Sequence, residues 1–249
     1  MQRILAIDSG NSNIKWGLFE DGLLVKSNRV PCESADLLGT EFAQLPDPDS
    51  IIVAHVARRS IRIKLIKLLS IWRIKIHWLR AEALQCGVRN GYMRPSQLGS
   101  DRWAALIAAW QLHHQSCLVI NAGTAMTIDA LSDSGEHLGG IILPSAYLMA
   151  NCLSRGTQLP HIESGEFVIF PVDTSGAIYS GAIQALVGAI DRMYNSLASR
   201  VNHANSRCIV SGGGAHAIIP HIQYPYQFIE FLVLNGLALI AGETQDNRT

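Results

Sequence analysis

Apolar and polar positions change period several times along the chain. Residues 4–7 (ILAI) form one apolar run and residues 14–19 (IKWGLF) a second. Between them lie the small or polar residues Asp8, Ser9, Gly10, Asn11, Ser12 and Asn13, and Asp21 with Gly22 adds a turn signal. This pattern predicts a β-hairpin with a polar, glycine-bearing loop. The same grammar returns later: CLVI at 117–120, the loop Asn121, Ala122, Gly123, Thr124, an apolar run at 126–131, then Ser134 with Gly135. Two such units far apart in the chain predict two halves of related design, with lobes at 1–115 and 116–249.

Between the hairpins the pattern gives a buried strand at 51–56, a basic amphipathic stretch at 60–69, a short strand at 74–78 and an irregular segment at 87–98. A helix follows at 101–112, with Trp103, Ala104, Leu106, Ile107 and Trp110 at helical spacing. In the second half, 174–197 reads as one long helix with Ile178, Ile183, Leu186, Val187 and Ile190 on its apolar face. A strand at 208–210 runs into Ser211, Gly212, Gly213 and Gly214, and a helix at 232–241 closes the chain. Strands alternating with helices, with a hairpin opening each half, predict an α/β protein with a mixed sheet in each lobe. No short-period repeat is present, which excludes a solenoid.

Composition narrows the function classes. The 249 residues are 48% hydrophobic, enough for a substantial core in each half. Twenty basic against twenty acidic residues cancel, so no global field draws the chain to nucleic acid or to a membrane surface. Any anion must then be held by local devices. The five cysteines are odd in number and contain no C-x-x-C pair, which predicts reduced, mostly buried thiols rather than disulfides or a zinc site. Nine histidines show no metal-ligand spacing. The start, MQRILAIDSG, has no cleavable apolar region and no later run is long enough to span a bilayer, so a cytoplasmic protein is expected.

The local devices are the two loops. Asp8 ends an apolar strand, Gly10 lets a ligand approach the backbone, Asn11 and Ser12 offer hydrogen bonds, and Lys15 brings a positive charge. A carboxylate beside a phosphate repels it unless a divalent cation lies between, so the functional reading is Asp8 holding hydrated Mg²⁺ against the phosphates of ATP. Read alone, the loop fits an ordinary turn equally well. Gly123 and Thr124 make a second candidate phosphate loop, and Gly212 with Gly213 a bare backbone for adenosine or a tight strand-to-helix turn. Gly99, Ser100, Asp101 and Arg102 precede or open the 101–112 helix, where Ser100 or Asp101 suits an N-cap. The functional alternative makes Asp101 a general base for a substrate hydroxyl, with Arg102 and Tyr92 lining the same pocket. The basic stretch at 58–67 alternates with apolar residues and reads as a solvated helix face.

Taken together and in order, DSGNSNIKWGLF, NGYMRPSQLGSDRWAALIAA, LVINAGTAMTIDAL, DTSGAIYSGAIQALVGAIDR and IVSGGGA resemble the type III pantothenate kinases. The resemblance implies a two-lobed, ribonuclease H-like, actin-like ATPase fold. It implies transfer of the ATP γ-phosphate to pantothenate by a homodimer with its active site near the subunit interface, dependent on Mg²⁺ and on K⁺ or NH₄⁺. Residue by residue, it assigns Asp8, Ser9, Gly10, Asn11, Ser12, Asn13, Ile14 and Lys15 to the first phosphate loop and Thr124 to an ATP contact. Tyr92, Gly99, Ser100, Asp101, Arg102 and Thr174 fall to the pantothenate site, with Asp101 the proton acceptor.

One position departs from the family pattern. Asn121 stands where an aspartate is expected to hold the monovalent cation; it keeps a carbonyl oxygen but loses the charge. A weakened or altered potassium site is expected, with activity retained. A milder departure is the Gly139 to Ser145 stretch, where Ser145 replaces a glycine and a different backbone angle is expected. Asn121 also keeps open a second reading, a nucleotide- or pantothenate-binding regulatory accessory protein. A different kinase or phosphohydrolase of the same fold remains a third, since phosphate loops specify ATP more than the acceptor.

Overall fold

The computed structural model describes residues 1–162, 164–200 and 206–246. The chain divides into two compact units, one made of Met1–His113 with Phe231–Thr249 and the other of His114–Glu230.

The first unit opens with β1 (Arg3–Ser9), β2 (Asn13–Glu20) and β3 (Leu23–Pro31), an antiparallel meander. Helix α1 (Leu37–Phe42) leads to β4 (Ser50–His55), parallel to β1, and α2 (Arg59–Leu69) leads to β5 (Ile76–Trp78), parallel to β4. The sheet order is β3-β2-β1-β4-β5. β1 and β4 are continuous apolar runs rather than alternating ones because both of their faces are covered. Leu5, Ile7, Ile51 and Val53 pack with Leu38, Phe42, Leu65 and Leu69 of α1 and α2. Successive side chains of a strand point to opposite faces, so Ala6, Ile52 and Ala54, also buried, lie on the other face. A two-rung hairpin, β6 (Leu84–Gln85) and β7 (Val88–Arg89), turns through Cys86 and Gly87 at φ 47° and 78° and precedes α3 (Ser100–His113).

The second unit repeats the pattern. β8 (Cys117–Ala122), β9 (Ala125–Leu131) and β10 (His137–Pro144) form an antiparallel meander, followed by α4 (Ala146–Gly156), the 25-residue α5 (Thr174–Ala198), β11 (Arg207–Ser211), α6 (Ala215–Ile218) and β12 (Tyr226–Phe228). The order is β10-β9-β8-β11-β12, with β11 and β12 parallel to β8. Ile183, Leu186 and Ile190 of α5 meet Leu118, Ile120, Ile128 and Val210 in the core.

Two expectations need correction. The closing helix α7 (Leu232–Asp246) belongs to the first unit, not to a second lobe running to residue 249. It packs on α3, β1, β4 and β2. Gly236 is the physical reason: a Cβ there would collide with the carbonyl of Ala104, so only glycine lets the two helix backbones come this close. Ser145 shows no unusual angle; at φ −64° and ψ 166° it is ordinary extended backbone, and its hydroxyl caps α4 by accepting the Leu148 N–H.

Candidate functional site

In the first unit the hairpin register sets Asp8 opposite Lys15, and their side chains meet at 4.0 Å. Asp8 is 8% exposed. Burial raises its carboxyl from 3.8 to about 6, against the pull of Lys15, and the Asp101 carboxylate nearby adds to the rise. Asp8 at the end of β1 therefore feels both the Lys15 ammonium and a second carboxylate, that of Asp101. The loop between the strands closes by the Gly10 N–H donating to the Asn13 carbonyl at 3.1 Å. A Cβ on Gly10 would touch only that carbonyl, at 3.4 Å, so the other side of the backbone is open to a ligand. Asn11 and Ser12 are exposed at the tip, Asn13 opens β2 half-buried, and Ile14 points into the core.

At the start of α3, Gly99 has its own reason to be glycine. Asp101 Oδ1 folds back to 2.6 Å from where a Cβ would stand. The Ser100 hydroxyl accepts the backbone N–H of His55 at 3.1 Å, tying α3 to the end of β4. Arg102 is 6% exposed and donates from Nη1 to the Tyr92 hydroxyl at 2.9 Å, with its guanidinium 5.7 Å from the Tyr92 ring centre. The fold thus collects Asp8, Lys15, Ser100, Asp101, Arg102 and Tyr92 in one unit, though they come from three separate stretches of sequence.

The second unit carries the other loops. Gly123 donates to the Ala125 carbonyl at 3.0 Å, and a Cβ there would again meet only that oxygen, at 3.4 Å. The two hairpin loops are alike in this respect. Gly212, at φ +97°, lies against Ala122 and 2.8 Å from Asn121 Oδ1, measured from its would-be Cβ. The Gly214 N–H donates to the Ala122 carbonyl at 2.9 Å. These contacts lay the 211–214 turn beside the second hairpin loop and leave Gly213 and Gly214 exposed. Gly123 and Gly214 line a cavity of about 250 Å³ with Met126, Tyr147, Tyr179 and Ile218. Thr124 is exposed at the loop tip. Thr174 lines a different, larger concavity of about 870 Å³, with Met149, Cys152, Leu159 and Val172. It stands at the first turn of α5, which is capped by Asp173 accepting the Gly176 N–H at 2.8 Å.

No group of three or more His, Cys, Asp or Glu side chains converges among the described residues. A divalent ion would therefore be held between Asp8 and the oxygens of a bound phosphate, not in a protein cage. The negative balance at Asp8 and Asp101 fits such an ion. Sequence reasoning passed over His55, whose ring and backbone touch Ser9 and Ser100; no local pattern marks it.

A sheet of order 3-2-1-4-5 occurring twice, each with a glycine-bearing loop between its first two strands, defines the actin-like class of ATPases and sugar or small-molecule kinases. Solved structures bear this out at the level of fold: a Baf family protein from Campylobacter jejuni at TM-score 0.65 and 20% identity, covering 97% of this chain and 99% of its own, and MreB5 of Spiroplasma citri bound to ADP, at TM-score 0.55 and 12% identity over 100% and 98%. Within that class the chain belongs to the type III pantothenate kinase family. The family model matches residues 4–196, and the type III pantothenate kinase of Nitrosospira multiformis is 43% identical over 98% of this chain and 92% of its own length.

Proposed function

We propose that this chain transfers the γ-phosphate of ATP to the primary hydroxyl of pantothenate, giving 4′-phosphopantothenate, the first committed step toward coenzyme A. The observation that carries the reading is the grouping of Asp101 with Asp8, Lys15 and the Tyr92–Arg102 pair in one unit. Asp101 accepts the hydroxyl proton as the oxygen attacks phosphorus in line. Lys15 and the open backbone at Gly10 hold the phosphates. Arg102, whose Nη1 meets the Tyr92 hydroxyl, supplies the positive charge that pairs with the pantothenate carboxylate. Gly123, Thr124, Gly212 and Gly213 take the nucleotide in the second unit, and Thr174 contacts pantothenate. Mg²⁺, when bound, would neutralise charge on the phosphates, and Asp8, ionised at pH 7, is the residue that would hold it.

Asn121 fits K⁺ or NH₄⁺ less well than a carboxylate would, since its side chain brings one neutral oxygen. A homodimer is supported by the uncovered apolar run Val168, Ile169, Phe170 and Val172, the last fully exposed, beside the concavity that holds Thr174. We place the reaction in the cytoplasm, in keeping with five free thiols and with the lack, among the described residues, of any helix long and apolar enough to cross a membrane.

The test is turnover of purified protein with ATP, Mg²⁺ and pantothenate, with and without K⁺ or NH₄⁺, read by ADP release and product mass. Phosphopantothenate should form, Asp101→Ala should lower kcat by at least about 100-fold, and Asn121→Asp should change the cation dependence. Binding of ATP or pantothenate without turnover in any salt would replace this reading with the regulatory one that Asn121 favours.

A further inference from the structure

β4 runs parallel to β1 in a register that pairs Ser9 with His55. His55 makes two connections from that position, and its neighbour adds a third. Its ring Nδ1 lies 3.0 Å from the Ser9 hydroxyl. Its backbone N–H donates to the Ser100 hydroxyl at 3.1 Å. The next residue, Val56, donates its N–H to the Ser9 carbonyl at 3.0 Å. Ser9 follows Asp8, and Ser100 precedes Asp101. One residue is therefore bonded to the immediate neighbours of both carboxylates, at the ends of two different elements.

The imidazole itself is fixed. It meets the Trp78 ring edge-on at 5.7 Å, and the same Trp78 carries the Arg62 guanidinium 4.3 Å from its ring centre. Ser9 is wholly buried, so its hydroxyl needs a partner, and the His55 ring supplies one. Burial and Arg62 both lower the His55 pKa, which keeps the ring neutral near pH 7. A neutral ring with one nitrogen committed to Ser9 sets the rotamer of that hydroxyl and leaves the charge balance at Asp8 undisturbed.

We propose that His55 is a positioning residue for phosphoryl transfer, holding Ser9 through its ring and Ser100 through its backbone so that the Asp8 and Asp101 carboxylates keep a fixed separation. This rests on the kinase reading above. The ring arm of the link can be cut without cutting the backbone arm. His55→Phe keeps the packing on Trp78 and loses Nδ1; His55→Asn restores a polar atom near the Nδ1 position.

The experiment measures kcat, both KM values and thermal unfolding midpoints for wild type, His55→Phe, His55→Asn, Ser9→Ala and the double variant His55→Phe with Ser9→Ala. His55→Phe should lower kcat by about 10- to 100-fold, the range seen when a supporting hydrogen bond behind a reacting group is removed. Its KM for pantothenate and its unfolding midpoint should stay near wild type, and His55→Asn should recover most of the loss. The double variant should be no worse than the poorer single one, because both cut the same link. Wild-type kcat in His55→Phe, no recovery in His55→Asn, or additive losses in the double variant would each overturn the proposal. A wild-type protein that binds but never turns over would instead overturn the kinase reading, so the two failures are separable.

Discussion

Asp8 couples the site to pH. Its carboxyl titrates near 6 in the folded chain and near 3.8 when unfolded. Between about pH 4 and 6 the folded state holds a proton that the unfolded state has lost, so stability falls as pH rises through that window and levels off above it. The raised value corresponds to ~3 kcal/mol in total. Asp8→Asn should flatten this part of the stability profile. On the proposal that Asp8 holds Mg²⁺, Mg²⁺ with ATP would work in the opposite sense, since it would need the ionised carboxylate; the rise in unfolding midpoint that it causes should then grow from about pH 5 to about pH 7. Thermal melts across that range, with and without ligand, read both effects. A ligand-induced rise that is equal at both ends would show that Asp8 is not the group that titrates. Asp8, Lys15 and Asp101 were legible in the sequence as candidates because they sit in local signatures of strand end, hairpin and helix start, and the fold brings them near one another. His55 was not, since its link to Ser9 comes from the register of two parallel strands separated in sequence by two further strands and a helix.

At the scale of elements, glycines with similar helical surroundings have opposite consequences. Gly236 in α7 lies on the carbonyl of Ala104 in α3, whereas a Cβ at Gly188, exposed in α5, would meet nothing within 4 Å. Gly236→Ala should destabilise by ~3 kcal/mol through forced separation of the helices, lowering the unfolding midpoint by about 6–12 °C. Gly188→Ala should raise stability by about 0.5–1 kcal/mol, because alanine loses less backbone freedom on folding. Equal effects at the two positions would contradict this account of the α3–α7 contact. Helices with a full apolar face, such as α3 and α5, were readable from period alone. β3 was not, because it is an edge strand with Leu23 and Val25 exposed; nor was β10, where Gly139 at φ +121° and a bulge break the alternation.

For the whole molecule, the repeated hairpin grammar announced the duplication, and balanced charge with free thiols agreed with a small-molecule enzyme. The destination of the last helix was hidden, because an apolar stripe says that a helix will be covered but not by which sheet. That destination makes His114–Glu230 an insertion within a unit whose two parts lie at opposite ends of the chain. Synthesis runs from the N-terminus, so the unit begun first is finished last. The second unit has all its strands once residue 228 has left the ribosome, while β1, β4 and α3 still lack their cover until α7 emerges. The first unit thus keeps an apolar face open until α7 follows, and a nascent chain stopped just short of Leu232 carries one half with its strands in place and one whose core is still uncovered.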